Sequence, residues 1–318
     1  GAYEYPLFWG SQDASNPEAW YLRSEQDAPP PPPPPPPDPP DPPAPPSPPV
    51  PLYRPEVGAY LANQRVAGGL FVHSLHDRLG EPQWLEHQVF DKDDEKRRPA
   101  WVRLVGKHVG SRSEDRNFKV DTDAWLLQAG GDVAQWALFH QDDRLHLGGM
   151  LGYGEASSDA DAAGNSAKAK GKTHGVSLGA YATWYRNHPD PMHLGWYADF
   201  WAQFGWFENR VEGEDLPAVR YDSRVLSLSA ETGYAKRVRD SDWIVEPQGQ
   251  LIHVHGKVKD FSEPNGTRVE GRDGSGWITR LGVRLHRTWI HDDGKRTEPY
   301  LTFNWWRDTV DNVMAFNQ

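Results

Sequence analysis

Trp196-Tyr197-Ala198-Asp199-Phe200-Trp201-Ala202-Gln203-Phe204-Gly205-Trp206 decides how this chain folds. Trp196, Ala198, Phe200, Ala202, Phe204 and Trp206 fall on one side of an extended backbone, and Tyr197, Asp199, Trp201, Gln203 and Gly205 on the other. A period of two is a β-strand. Val176, Leu178, Ala180, Ala182 and Trp184 alternate in the same way with Gly175, Ser177, Gly179 and Thr183, and Leu226, Leu228 and Ala230 with Ser227, Ser229 and Glu231. A soluble sandwich fits this pattern, and so does a barrel turned inside out, with lipid outside and water within.

Composition narrows the choice. A formal net charge of −11 offers no basic surface for phosphates, which argues against a nucleic-acid partner. The absence of cysteine excludes disulfides, thiolate metal sites and cysteine nucleophiles. No apolar run approaches the roughly 20 residues of a membrane-spanning helix. Twelve of the fifteen tryptophans follow residue 97, an enrichment that interfacial aromatic girdles explain.

Along the chain, Gly1-Ala2-Tyr3-Glu4-Tyr5 and Trp20-Tyr21-Leu22-Arg23-Ser24 read as strands closing a larger β structure. Residues 29–51 hold 18 prolines, the composition of an extended spacer reaching on the order of 70 Å. Pro55 then opens a segment free of further proline until Gly80 and Pro82, so Glu56 to Leu79 predicts one helix about 36 Å long. Asn63, Gln64, Arg65, His73, His76 and Asp77 exclude it from lipid. It is either a surface linker or a helix threaded through a water-filled pore.

From residue 98 the alternation predicts nine strands, near 100–109, 121–136, 145–155, 173–186, 194–207, 225–237, 243–255, 277–289 and 298–306. Their connections alternate between long (110–120, 156–172, 209–224, 256–276) and short (138–144, 187–191, 238–242, 290–297), as in outer-membrane barrels. Asn187-His188-Pro189-Asp190-Pro191 and Asp292-Asp293-Gly294 mark two of the short turns. If the first connection is extracellular, a helix that starts outside and precedes the first strand must cross inside the barrel.

Tyr53-Arg54-Pro55-Glu56-Val57-Gly58-Ala59-Tyr60, Phe71-Val72-His73-Ser74-Leu75-His76-Asp77-Arg78-Leu79-Gly80 and Trp101-Val102-Arg103 resemble the pore helix and first strand of monomeric autotransporters, type Va secretion, of the AIDA and pertactin-like group. The resemblance implies an all-β, up-and-down antiparallel transmembrane β-barrel of twelve strands with a pore-spanning α-helix. Residues 1–25 are then the end of a passenger β-helix, 26–52 a proline-rich linker, 53–80 the pore helix and 81–318 the barrel. The nine strands, an odd number, and the ending at Asn317-Gln318 without a terminal aromatic strand lead us to expect a barrel truncated at its C-terminus. Implied partners are outer-membrane lipid, the chain's own passenger and the barrel assembly machinery, with the protein a monomer in a Gram-negative outer membrane. No cofactor is implied. Some relatives cleave between two asparagines in the pore helix; here Asn63 is followed by Gln64, so that chemistry is not carried over.

Candidate site residues follow. Asn63, Arg65 and His73 belong to the pore helix. Arg103, Lys107, Asp199, Glu231, Glu246 and Arg284 are the lumen-facing polar residues, with Gln203, Gln248, Gln250, Arg280 and Asn304 beside them. They either wet the lumen, or their acids (Asp199, Glu231 or Glu246) grip Arg65 and hold the helix as a plug. Trp184, Trp196, Trp206 and Trp305 are the aromatic girdle. An outer-membrane hydrolase would draw on His140 near Asp142 and Asp143, or on His291 beside Asp292, but turn polarity accounts for these. His253 and His255 share a strand face without further identifiable ligands, and no serine sits in a nucleophile elbow. The expected role is therefore translocator and anchor, not enzyme. A barrel enzyme and a soluble β binding module are the alternatives.

Overall fold

The computed structural model describes residues 7–9, 20–22, 25–26, 50–79, 99–186, 194–214, 216–271, 273–291, 296–312 and 314–317. Gly1 to Tyr5, most of the proline run, and the turns 187–191 and 292–294 lie outside these. The nine expected strands are all present: β1 (Ala100–Arg112), β2 (Phe118–Trp136), β3 (Arg144–Ala162), β4 (Lys168–Tyr185), β5 (Gly195–Gly213), β6 (Val219–Arg237), β7 (Ile244–Val258), β8 (Gly274–His286) and β9 (Tyr300–Asp308). They form one sheet in chain order, each antiparallel to the next. The sheet curls around a helix. Among the described residues β1 and β9 are not bonded to each other.

The alternation of loop lengths does not hold. Residues 113–117, 163–167 and 214–218, on what we call the upper rim, are shorter connections than 137–143, 186–194 and 238–243 on the lower rim. Much of what reads as long polar loop is strand. At about 3.4 Å per residue, the 19 residues of β3 extend roughly 60 Å, whereas a membrane needs about 9–11 residues per strand. Above Tyr153 the period of two continues, but its outward face turns from apolar to charged. Ala156, Ser158, Ala160 and Ala162 stay buried inside, while Asp159 meets Lys170 at 3.3 Å and Asp161 meets Lys168 at 3.8 Å outside.

The lower band of the outward face is apolar, with Val102, Leu104, Leu151, Leu178, Phe200 and Phe303 among its exposed residues. A register shift between Asp132 and Ala134 marks a β-bulge in β2 close to the lower rim. The turn below it is built on Asp143, whose carboxylate accepts the N–H groups of Leu138 (2.6 Å), Phe139 (2.8 Å) and His140 (3.0 Å). Burial alone would raise the pKa of Asp143; these backbone donors prevail and hold its carboxyl below the usual range.

The segment expected to be one helix is two: α1 (Pro55–Gly69) and α2 (Leu75–Leu79). Gly68 and Gly69 weaken the first helix at its end. Ser74 starts the second with a capping box: its Oγ accepts the Asp77 N–H at 3.2 Å, and Asp77 Oδ2 accepts the Ser74 N–H at 2.9 Å.

Residues 55 to 60 of α1 are buried on every side. A surface helix would bury one stripe and leave the other face in water. Ala59, Tyr60 and Ala62 pack with Val120, Ala160, Ala169, Val211, Tyr221 and Val258 of the wall. Lower down, Ala67, Leu70 and Phe71 meet Trp101, Leu126, Met150, Trp201 and Ile252.

Two short pairs stand apart from the sheet. Leu7–Trp9 lies antiparallel to Trp20–Leu22, and Glu25–Gln26 antiparallel to Val50–Pro51. The second pair sets Glu25–Gln26 beside Val50–Pro51; the proline run expected as a spacer lies between them, outside the described residues.

Candidate functional site in the lumen

The concave face carries two polar clusters, one at each end of the helical segment. At the lower end Arg78 of α2 donates through Nη2 to Asp199 Oδ1 (2.6 Å) and Thr183 Oγ1 (2.8 Å), with its guanidinium 4.1 Å from the centre of the Tyr181 ring. Arg78 and Asp199 side chains have no solvent exposure. Tyr181 in turn donates to Asp132, which also contacts His146 Nδ1 at 2.7 Å.

Beside this pair, His76 Nε2 lies 2.8 Å from Glu246 Oε1. Glu231 accepts three donors: the Leu75 N–H (2.9 Å), Tyr197 Oη (2.9 Å) and Arg280 Nη2 (2.7 Å). Arg280 also donates to Gln248, Gln250 and Asn304, and Gln250 donates to the His73 carbonyl at 2.9 Å. Asp199, Glu231 and Glu246 thus all meet α2.

At the upper end Arg54 reaches both oxygens of Glu263 at 3.0 Å, and Tyr60 Oη donates to the same carboxylate at 3.0 Å. Glu263 lies in the connection 259–273, where Phe261–Ser262 pairs with Arg268–Gly271 and that strand pairs with Met314–Asn317. Tyr60 packs against Tyr221, Phe261 and Phe316 at centroid distances of 5.7, 5.4 and 6.0 Å. Asn165 Nδ2 donates to the Tyr53 carbonyl at 3.1 Å, and Asn63 Nδ2 to the Arg210 carbonyl at 3.2 Å and Tyr221 Oη at 3.3 Å.

The expected site residues fall as follows. Asn63 and His73 are buried in the lumen, His73 stacked on Trp201 at 4.7 Å in the break between the helices. Arg65 is exposed. The expectation that Asp199, Glu231 or Glu246 grips Arg65 is overturned, because those acids meet α2. Arg65 stands 13 residues before Arg78, in α1 rather than α2. Arg103 and Lys107 lie on the inner face of β1, and Lys107 lines a crevice with Arg65. Asp199, Glu231, Glu246 and Arg284 are buried on the inner face, Arg284 lying 4.1 Å from the Tyr300 ring centre.

On the outward face, Trp184 packs on Phe139 (5.9 Å), Trp196 on Tyr234 (5.0 Å) and Trp206 on Phe204 (4.6 Å), while Trp305 lies exposed opposite Leu281. His291 Nε2 meets Thr297 Oγ1 at 2.9 Å. Sequence reasoning missed Arg54, Arg78, Thr183 and Glu263 as partners. Only α2 carried a signal, the Ser74-x-x-Asp77 spacing.

The family model of the Autotransporter beta-domain matches residues 100–317, the whole of the curled sheet. The chain belongs to the autotransporter beta-domain family. It is accordingly a protein of the Gram-negative outer membrane. Two relatives from Escherichia coli K12 are each 38% identical: "Uncharacterized protein YuaQ", over 100% of this chain and 23% of its own length, and "Uncharacterized protein YdeU", over 96% and 66%. The chain therefore spans about a quarter of the first relative and two thirds of the second. Among solved structures, the transport unit of the autotransporter AIDA-I from Escherichia coli superposes with a TM-score of 0.66 and 26% identity, covering 83% of this chain and 82% of that one.

The capping box invites a direct check in this autotransporter beta-domain. Ser74→Ala removes an N-cap and is expected to cost about 1 kcal/mol. Asp77→Ala should cost a similar amount, and the double variant less than the sum. Thermal unfolding of the folded protein measures all three, and additive losses would refute the reciprocal bond.

Proposed function

We propose that this chain is the outer-membrane translocator and anchor of an autotransporter. The curled sheet forms the wall, α1 carries the chain through the lumen, and the passenger attached ahead of Pro55 reaches the cell surface. The observation that carries this reading is the enclosure of the helical segment, tied to the wall just ahead of α1 by Arg54 with Glu263 and in α2 by Arg78 with Asp199. A linker helix on a soluble module would keep one face in water; this one begins with six buried residues. The AIDA-I structure described as a transport unit supports the same role. Outer-membrane lipid on the apolar face, insertion by the barrel assembly machinery and a monomeric state belong to the proposal, as does the absence of catalysis.

An epitope placed ahead of residue 55 in the full protein tests it. Protease added to intact cells is expected to remove the epitope while the wall strands stay protected. Protection of the epitope until the outer membrane is permeabilised would sink the reading.

A further inference from the structure

The outward face above the apolar band is charged on most strands, but its charges are not evenly paired. Lys172 of β4, Arg210 of β5 and Arg220 of β6 stand directly opposite one another across three adjacent strands. Nearer the apolar band, Arg224 of β6 lies between Trp206 of β5 and Lys257 of β7. Like charges placed opposite each other on neighbouring strands destabilise a sheet. Neighbouring strands lie about 4.8 Å apart, so the first three cations crowd into roughly 10 Å.

Carboxylates relieve part of this. Glu212 meets Arg210 at 2.9 Å and Asp273 meets Lys257 at 3.7 Å. Asp222 is taken by Lys259 at 2.9 Å, and Glu208 lies 3.7 Å from His174. Lys172, Arg220 and Arg224 have no ion-pair partner among the described residues.

The position of the cluster identifies what completes it. Directly below are the exposed outward residues Val176, Leu178, Trp206, Leu226 and Leu228, which belong among lipid chains. Aromatic side chains on barrels mark the level of the headgroups, and Trp206 sits in register with Arg224. The cations therefore occupy the headgroup layer just above. A shallow depression of about 310 Å³ lined by Tyr153, His174, Trp206, Asp222, Arg224 and Lys259 opens there. Guanidinium groups grip phosphate through paired N–H donors, and lysine adds a point charge.

We propose that Lys172, Arg210, Arg220, Arg224 and Lys257 form a binding site for the phosphate groups of a phosphorylated glycolipid in the outer leaflet. The site rests on the upper rim being the cell-surface side. Its cations differ in kind from the lumenal ones, which are neutralised by the wall.

The test uses the full protein folded in detergent and three probes: bisphosphorylated lipid A, the same lipid with both phosphates removed, and inorganic phosphate. Binding is followed by the intensity of bound species in native mass spectrometry. Wild type is expected to hold the bisphosphorylated lipid at least tenfold more tightly than the dephosphorylated one. Each interfacial cation is worth about fivefold, so K172Q/R210Q/R220Q should weaken binding on the order of a hundredfold. A matched variant at the lower rim, K236Q/R237Q/R287Q, makes the same change in net charge and should bind like wild type.

Equal binding of the dephosphorylated lipid, equal loss in both variants, or occupancy by inorganic phosphate as tight as that of the lipid would each overturn the site. Resistance of wild type and both variants to carbonate extraction from membranes is measured in parallel. Extraction of wild type would count against the membrane reading itself. Retention without phosphate dependence would count against this inference alone.

Discussion

Asp199→Ala is expected to be among the most damaging single changes in the lumen, lowering stability by about 3–5 kcal/mol. The removal leaves the Arg78 guanidinium buried with no counter-charge and strips Thr183 of its acceptor. The pair itself is not the source of that cost. Desolvating two ions offsets most of their attraction, so removing both, as in R78M/D199L, should return stability to within about 1–2 kcal/mol of wild type. The single variant should also loosen α2, so that trypsin cuts after Arg78 and ion flow through the reconstituted full protein rises. A single variant as stable as the parent, with Arg78 still protected, would remove the clamp from the account.

Gly171→Val is expected to act on the other end of the helical segment, through shape rather than charge. A Cβ at residue 171 would lie 2.6 Å from Asn63 Oδ1 and 3.0 Å from the Ala59 carbonyl oxygen. Asn63 is fixed by its own hydrogen bonds and the Ala59 oxygen is helix backbone, so neither yields cheaply. Overpacking of this kind costs about 1–3 kcal/mol or more, here concentrated where β4 touches α1. We expect slower folding into membranes, a lower unfolding temperature and partial rescue by Asn63→Gly, which vacates part of the space. Loss of stability with no rescue would place the strain elsewhere.

The strands were legible in the sequence because lipid and lumen impose opposite chemistries on alternate residues. All nine strands expected from that alternation occur in the structure. Their ends were not legible. Above Tyr153 both faces are small or charged, as in Glu155-Ala156-Ser157-Ser158-Asp159-Ala160-Asp161-Ala162, which has the composition of a loop. Alanine at every second position was the remaining trace of the strand.

In the lumen, the wall acids could be read from their place on the inner face. Their partners could not, because helix partners depend on how far up the pore each residue sits. Arg65 was the cation in the middle of the expected helix, and a continuous helix gave no reason to prefer Arg78. The Ser74-x-x-Asp77 spacing was the one trace of the restart, since a helix that begins again at Ser74 can turn Arg78 toward Asp199.

The extension of the strands above the apolar band has a consequence for whatever the chain carries. From Trp206 to Gly213 there are seven residue steps, roughly 23 Å of strand and, at a tilt near 45°, about 16 Å of height. Glu56, at the start of α1, lies beside Gly213. The wall thus stands as a pedestal above the apolar band, and a passenger exported as proposed would start folding clear of the headgroups, in water, rather than at the greasy surface where an unfinished β-structure would stick.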